Sequence, residues 1–485
     1  MSEDSNQNIL SDFLRDFGIY SVSRFAPTFL GFIALIAFTH FFDTGSYGRY
    51  ALTTVFITVF ATGLFDWLKQ AVLRFDSGPD NIIPTTLAIL LVLLATSIIL
   101  GIGGYIIFRS RLGAYRPFYI AGIAALTTLG TFEVCRSIFQ ARLQSKEVMK
   151  YQTLKAIIRH GLGLGISLLI FNSIVGWVWA MAIGCGLAVV LMISQFDIQK
   201  IGFNKTIAKR LTGYGFPMLG WLFGLTLLTF IDRVLLEYFS TASAVGIYSA
   251  NYTLIQTGLP LVLAPVIEAS HPVIMQEWNG ENHEKIADLI ARYSRYFLIL
   301  GIPATIFAAV ISRPLSILAL GTDFRAGYVI IPIIAVSLFI WNFAMIGHKG
   351  LEVQDETGLM SFGIGLAVLA NIVLNYIAIP LYGFLGAAVA TLISTGIYTI
   401  YAYLMSIRTV QWEIPKSTVF RVGLSGLLMS LISGSGYLFP DWSVAGPVIS
   451  GLSGGIGYLA LLILLGEFDE KEIGKISYII DYVRL

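Results

Sequence analysis

Charge is scarce in this chain. Only 12% of its 485 residues are Asp, Glu, Lys or Arg, about half the roughly 25% of a soluble domain. A soluble globular protein is therefore excluded. Cysteine is nearly absent too: Cys135 and Cys185 both sit in apolar stretches, form no metal-ligand spacing and read as packing residues. No Cys/His cluster exists to hold a metal, and no G-x-x-x-x-G-K-[ST] loop exists to hydrolyse ATP. A net charge of +2 gives no footprint for nucleic acid. The opening residues "MSEDSNQN" are polar and acidic, not a basic lead into a short apolar run, so no cleavable signal peptide is expected. "DTG" at Asp43 to Gly45 has the look of an aspartic-protease triplet, but it lies in a short loop whose repeat partner reads "TAS". No catalytic residue and no cofactor are assigned.

What fills the chain is hydrophobic sequence, 56% of it, with a mean hydropathy of +0.78. A spanning helix needs roughly 20 apolar residues. Reading every uncharged or nearly uncharged run predicts an all-α integral membrane protein of about fourteen spans, near 18–40, 48–70, 83–107, 117–140, 154–171, 175–195, 214–237, 245–271, 292–312, 327–348, 358–379, 384–406, 417–438 and 444–466. Two long uncharged runs are divided by turns, "FNSIVG" from Phe171 and "IPLYG" from Ile379.

Lys and Arg set the orientation. With the N-terminus in the cytoplasm, cytoplasmic tails and loops hold 21 of the 31 basic residues and external loops hold six. "RSRLGAYR" (Arg109 to Arg116) opposes this bias and is outvoted. Both termini are then cytoplasmic. External loops are short, the longest near 312–327, which argues against a polymerase or ligase working on a large outer loop. The segment 1–17 reads as a cytoplasmic amphipathic lead-in, with apolar residues at 9, 10, 13, 14 and 17.

An internal repeat organises the spans. Phe41, Gly48 and Tyr50 match Phe239, Gly246 and Tyr248 at one offset of 198. Aromatic-Gly pairs, Phe17-Gly18 and Tyr214-Gly215, stand before the two copies. Six helices per copy is an even number, so the copies share one orientation about a pseudo-twofold along the membrane normal. The expected organisation is an N-lobe at 18–196, a linker at 197–213, a C-lobe at 214–406, two further helices at 407–466 and a cytoplasmic tail at 467–485.

Polar residues recur at helical spacing. Thr54, Thr58, Thr62, Asp66 and Lys69 form one face of the second span, and Ser21, Arg24 and Thr28 one face of the first. Thr and Ser stripes are commonly helix-packing faces; a stripe ending in Asp66 and Lys69 favours a water-filled cavity. At 1.5 Å rise per residue, Arg24 lies about 9 Å, Arg136 about 6 Å and Arg159 about 8 Å from the cytoplasmic face. With Lys69 they place a basic set at one depth of the inner leaflet, suited to an anion arriving there. Snorkelling to headgroups is the simpler alternative, and Glu133 stands one turn from Arg136 as a ready partner. His160 and His348 read as interfacial histidines. Asp232 and Arg233, adjacent near the outer end of the seventh span, do not face each other on a helix; they are expected to have separate partners or to reach water, as an outer gate or an interface anchor.

Three stretches resemble one family. "FGIYSVSRFAPTFLGFIALIAFTHFFDTGSYGRYAL" from Phe17 carries an aromatic-Gly pair, an Arg in the first span and a Gly-x-Tyr. "GYGFPMLGWLFGLTLLTFIDRVLLEYFSTASAVGIYSANYTL" from Gly213 carries Gly-x-Pro, Asp-Arg and Val-Gly-Ile-Tyr, and "NYIAIPLYGFLGAAVATLIS" from Asn375 a Gly-rich turn. Over about residues 15–410 the chain resembles the polysaccharide-transport, or O-antigen, flippase branch of the multidrug/oligosaccharidyl-lipid/polysaccharide exporter superfamily. The resemblance implies alternating-access transfer of polyprenyl-pyrophosphate-linked oligosaccharide repeat units across the cytoplasmic membrane. It also implies polysaccharide polymerase and chain-length regulator as neighbours, besides membrane lipid. On this reading Arg24, Arg136 and Arg159, with Thr58 and Thr62, meet the substrate. Asp66 with Lys69 forms an inner gate, Asp232 and Arg233 sit outside, and Asp66, Glu133, Asp232 and Glu268 are the candidate ion-coupling carboxylates. Two alternatives stay open: a cation-coupled multidrug antiporter, which would favour a carboxylate-dominated cavity, and a non-transporting membrane scaffold.

Overall fold

The structure is a computed structural model that describes residues 28–76, 81–196, 201–279, 283–354, 356–406, 412–438 and 444–468. Those residues are helical almost throughout, with no strand among them. In chain order the helices are α1 (Thr28–Phe41), α2 (Thr44–Phe75), α3 (Ile83–Phe108), α4 (Arg116–Ala141), α5 (Ser145–Ile170), α6 (Val175–Ile193) and α7 (Lys205–Phe239). There follow α8 (Ala242–Gly258), α9 (Pro260–Asn279), α10 (His283–Val310), α11 (Ser312–Ala319), α12 (Thr322–Glu352), α13 (Thr357–Ser406), α14 (Lys416–Leu438) and α15 (Ala445–Leu464). Proline stands in the first turn of α3, α4 and the α-helical part of α12, where its missing N–H costs nothing. Asp43 caps α2 through the Ser46 amide at 2.8 Å, so "DTG" is a helix start.

Eleven helices among the described residues are long and apolar enough to cross a membrane, twelve if the pair α8–α9, bent by 49°, is one span. The expected fourteen differs from this at the first span, of which only Thr28–Phe41 is described, and at α13. In α13 two expected spans run on as one helical stretch, broken at Gly383 (φ 56°, ψ −136°) just after Pro380. That backbone conformation is open to glycine and strained for other residues.

Two helices begin earlier than hydropathy suggests. α7 starts at Lys205, inside the segment read as a linker, because the Asn204 side chain caps the amides of Thr206 and Ile207. α5 starts at Ser145, inside a segment read as a loop. Charge removed these turns from the apolar count without making them poor helix formers.

The chain divides into two compact units: Met1–Ala250 with Asn375–Gly383, and Asn251–Leu374 with Phe384–Leu485. In the first, α6 is the most enclosed span, 61% buried, while α3 is only 22% buried and exposes Leu91, Ile99, Leu100, Ile106 and Ile107. Apolar exposure on that scale fits a lipid-facing helix. Glycines bring neighbours close: a Cβ on Gly176 of α6 would lie 2.5 Å from Ser167 Cα of α5. The "GLGLGISLL" stretch is thus a packing seam.

The repeat reappears as a crossing inside the first unit. A Cβ on Gly48 of α2 would lie 1.7 Å from the Ala242 carbonyl oxygen of α8, and one on Gly246 would lie 1.9 Å from the Thr44 carbonyl oxygen. Positions 44 and 242 are again 198 apart, so the crossing has local twofold symmetry. Thr44 and Ser243 share a hydroxyl–hydroxyl hydrogen bond of 2.5 Å there.

In the second unit α10, α14 and α15 enclose Ile299, Val422, Met429, Tyr458 and Leu462. Glu467, past the end of α15, accepts from Arg295 Nε (2.8 Å), Thr418 (2.7 Å) and Arg421 (3.1 Å). Burial opposes its charge, but these three donors outweigh it and hold the carboxyl below the usual glutamate range. His348 is fully buried, hydrogen-bonded through Nδ1 to Tyr398 at 2.6 Å. It is a core residue, not an interfacial one; α12 continues to Glu352 and carries it inside.

Candidate functional site: a charged cluster in the first unit

Three helices deliver five charged side chains to one place. Asp66 ends a π-helical segment, Thr62–Asp66, within α2, and Lys69 follows one turn later. Glu133 and Arg136 lie one turn apart on α4, and Lys155 lies on α5. Glu133 is the hub. Its carboxylate is 2.6 Å from Arg136 Nη2, 3.5 Å from Lys155 Nζ and 4.0 Å from Lys69 Nζ. Lys69 also pairs with Asp66 at 3.1 Å, Arg136 Nη1 donates to Gln140 at 3.1 Å, and Lys155 stands 4.1 Å over the Phe132 ring.

Among the described residues the cluster carries three positive charges against two negative. Its side chains are 15–21% exposed, so it is reachable and not sealed. Charges in spans of this kind are rare and mark pathways or sites.

Arg159 sits four residues beyond Lys155, in a second π-helical segment, Ile157–Leu162. Such segments recur at functional positions. Its Nη2 donates to Tyr50 at 3.1 Å. Tyr50 stacks on Trp177 at 4.4 Å, and Trp177 stacks on Phe38 at 3.9 Å, making a three-ring column. His160 meets Trp177 edge-on at 5.8 Å; it packs into the helix bundle rather than at an interface. Nε of Arg136, Nε of Arg159, Nδ1 of His160 and Nε1 of Trp177 are buried with no hydrogen-bond partner among the described residues. Orphaned buried donors are uncommon and call for a ligand, water or a second conformation.

The other expected residues are more dispersed. Arg24 lies outside the described residues, as do Ser21 and the segment 1–17. Thr58 is partly buried, and its hydroxyl donates to the Thr54 carbonyl at 2.8 Å. Thr62 is buried and accepts from Thr226 of α7 at 3.3 Å, which makes it a packing contact. Glu268 is exposed on α9, in the second unit.

Asp232 and Arg233 correct the expectation that they would not meet. Both are buried, at 1% and 4% exposure. Asp232 Oδ1 accepts from the Arg233 amide at 2.7 Å and from Arg233 Nη1 at 3.2 Å, and Oδ2 accepts from the Tyr248 hydroxyl. Arg233 Nη1 also donates to the Thr229 carbonyl at 2.8 Å. Helical spacing separates the two Cβ atoms, but the long arginine side chain folds back over its own helix and closes the gap. The repeat-related tyrosine hydroxyls thus each meet a charged side chain, Tyr50 an arginine and Tyr248 an aspartate.

Sequence reasoning missed Lys155 because it stood at the edge of a loop. The available signal was its spacing of four from Arg159, one face of one helix.

An all-helical, multi-pass membrane protein with a charged cluster among its spans has the architecture of a membrane transporter. The polysaccharide biosynthesis protein family matches residues 13–278, more than half of the chain, and the chain belongs to that family. This is the polysaccharide-transport flippase branch of the superfamily to which the sequence resemblance pointed. Among curated proteins it is 23% identical over 357 residues to the probable low-salt glycan biosynthesis flippase Agl15 of Haloferax volcanii, covering 70% of this chain and 73% of that one. It is 22% identical over 429 residues to the probable flippase AglR of the same organism, covering 84% and 86%. Among solved structures, the lipid II flippase MurJ in an inward closed conformation superposes with a TM-score of 0.74 at 15% identity, over 92% of this chain and 99% of that one. An inward-facing multidrug resistance MATE family transporter gives 0.65 at 15% identity, over 79% and 94%. The fold is shared by the two kinds of transporter.

Proposed function

We propose that the protein is a flippase that moves polyprenyl-pyrophosphate-linked oligosaccharide repeat units across the cytoplasmic membrane by alternating access, for surface polysaccharide such as O-antigen, capsule or exopolysaccharide. The observation that carries the reading is the cluster of Lys69, Arg136 and Lys155 around Glu133, three cations against two carboxylates, partly exposed within a lipid-soluble bundle. The names of the relatives support it, since two are probable flippases and one of these acts in glycan biosynthesis. A cationic drug would meet a surplus of positive charge here, which disfavours the antiporter.

On this reading an isoprenoid tail stays in lipid while diphosphate and sugar cross between helices. Arg24, Arg136 and Arg159 bind the anionic headgroup, and Thr58 contributes a hydroxyl acceptor. Asp66 with Lys69 gates the cytoplasmic side, and the Asp232–Arg233–Tyr248 group holds the outer end of α7. Asp66, Glu133, Asp232 and Glu268 are the candidate coupling carboxylates. Both termini face the cytoplasm, and a polysaccharide polymerase and chain-length regulator act on the product.

Disrupting the gene should abolish surface polysaccharide and accumulate its lipid-linked precursor. The parent gene should restore the polysaccharide, and Arg24→Ala or Arg136→Gln, present at normal protein level, should not. Unchanged polysaccharide in the disrupted strain would refute the assignment.

A further inference from the structure

All three cations of the cluster converge on one side chain. Arg136, Lys155 and Lys69 lie 2.6, 3.5 and 4.0 Å from Glu133, whereas Asp66 takes a share of Lys69 alone. We propose that Glu133 is a built-in counter-anion that occupies a diphosphate site formed by Lys69, Arg136 and Lys155, and that an incoming diphosphate displaces it. The flippase reading supplies the biological substrate; the anion site rests on the geometry.

Charge balance sets the class of ligand. If Glu133 turns away, Asp66 still neutralises Lys69. Among the described residues, Lys155 then keeps only the Phe132 ring, and Arg136 only the neutral Gln140 carbonyl. Two positive charges are left uncompensated, which is costly among apolar helices. A diphosphate diester carries two negative charges and offsets both. A phosphodiester headgroup of the surrounding bilayer carries one and does not. Glu133 therefore acts as a threshold: an anion must do better than the carboxylate already in place, and bulk lipid fails to.

Donor geometry agrees. Arg136 uses Nη2 on Glu133 and Nη1 on Gln140, while its buried Nε has no partner among the described residues. The planar Nε–Nη edge of arginine is suited to bidentate phosphate binding. Glu133 itself is 21% exposed, on a side chain with three rotatable bonds.

The test is direct binding to the purified full-length protein in lipid nanodiscs, with inorganic pyrophosphate, farnesyl diphosphate and the singly charged phosphodiester dimethyl phosphate as probes. Glu133→Gln should bind pyrophosphate about tenfold more tightly than the parent, a change of ~1.4 kcal/mol, and should lose much of the preference for diphosphate over the phosphodiester. Lys155→Gln and Lys69→Gln should each weaken pyrophosphate binding by about tenfold in the otherwise unchanged protein, so the site is tested even where Glu133→Gln does not fold. Equal or weaker binding by folded Glu133→Gln, or no effect of either lysine change, would overturn the proposal. Farnesyl diphosphate should compete with pyrophosphate; failure to compete would assign the site to a soluble anion and overturn its lipid-borne use. None of these readouts involves translocation. Binding as expected without lipid transfer would sink the flippase reading alone, and transfer with no response to Glu133→Gln would sink this one alone.

Discussion

At the scale of single residues, the charged side chains divide into those held inside the fold and those left reachable. Asp232 and Arg233 belong to the first kind: buried, mutually bonded and enclosed by Tyr248 and Phe230. Removing one partner strands the other as a buried charge, which generally costs about 3–5 kcal/mol. Arg233→Ala should therefore lower the melting temperature of the detergent-solubilised protein far more than the double change Asp232→Asn with Arg233→Met, which leaves no charge behind. Equal losses in the two variants would show that the pair is not the origin of the effect. The sequence displayed this pair plainly but concealed its bonding, because helical spacing predicts where Cβ atoms lie and not how far an arginine folds back. Lys155 was the opposite case, a residue hidden by its position at the end of a charged loop and revealed by the helix that begins at Ser145.

At the scale of elements, hydropathy was a good guide to existence and a poor one to ends. Uncharged runs coincide with α3 and α6 and a nearly uncharged one with α4, and the glycine-bearing breaks near Phe171 and Gly383 fall where turn chemistry places them. The starts of α5 and α7 lie in charged sequence, which a helix tolerates wherever it protrudes from lipid. The π-helical segments that carry Asp66 and Arg159 left no trace in composition or spacing. The repeat was legible from three matched residues and is expressed as the twofold crossing of α2 and α8. There Gly48 and Gly246 each meet a backbone carbonyl at a distance no Cβ tolerates. Gly48→Leu or Gly246→Leu should force the helices apart and reduce the yield of folded, monodisperse protein, with the two changes having similar effects. By contrast, Gly103→Leu on α3, where a Cβ meets nothing within 4 Å, should be tolerated. Size-exclusion profiles of the three variants check this. A Gly48→Leu protein as well behaved as Gly103→Leu would mean the crossing is not a close contact.

At the scale of the whole molecule, composition excluded a soluble protein, and the family and fold place the chain among membrane transporters. The substrate is argued from charge: a net-basic cluster on α2, α4 and α5 in an otherwise apolar bundle. Part of that basic set was legible in the sequence, where depth along the helices grouped Lys69, Arg136 and Arg159. The structure replaces a set of residues at one depth with a set around one carboxylate, and leaves Arg159 beside them on Tyr50. The activity proposed for this cluster is transfer of a diphosphate-linked glycan lipid across a bilayer. The most direct measurement uses proteoliposomes holding the purified protein and a fluorescent polyprenyl-diphosphate oligosaccharide, with the fraction of label accessible to an external quencher followed over time. Transfer between leaflets should be seen with the parent protein and lost when Arg136 and Lys155 are both changed to Gln. No transfer above protein-free liposomes, or transfer unaffected by the double change, would contradict it.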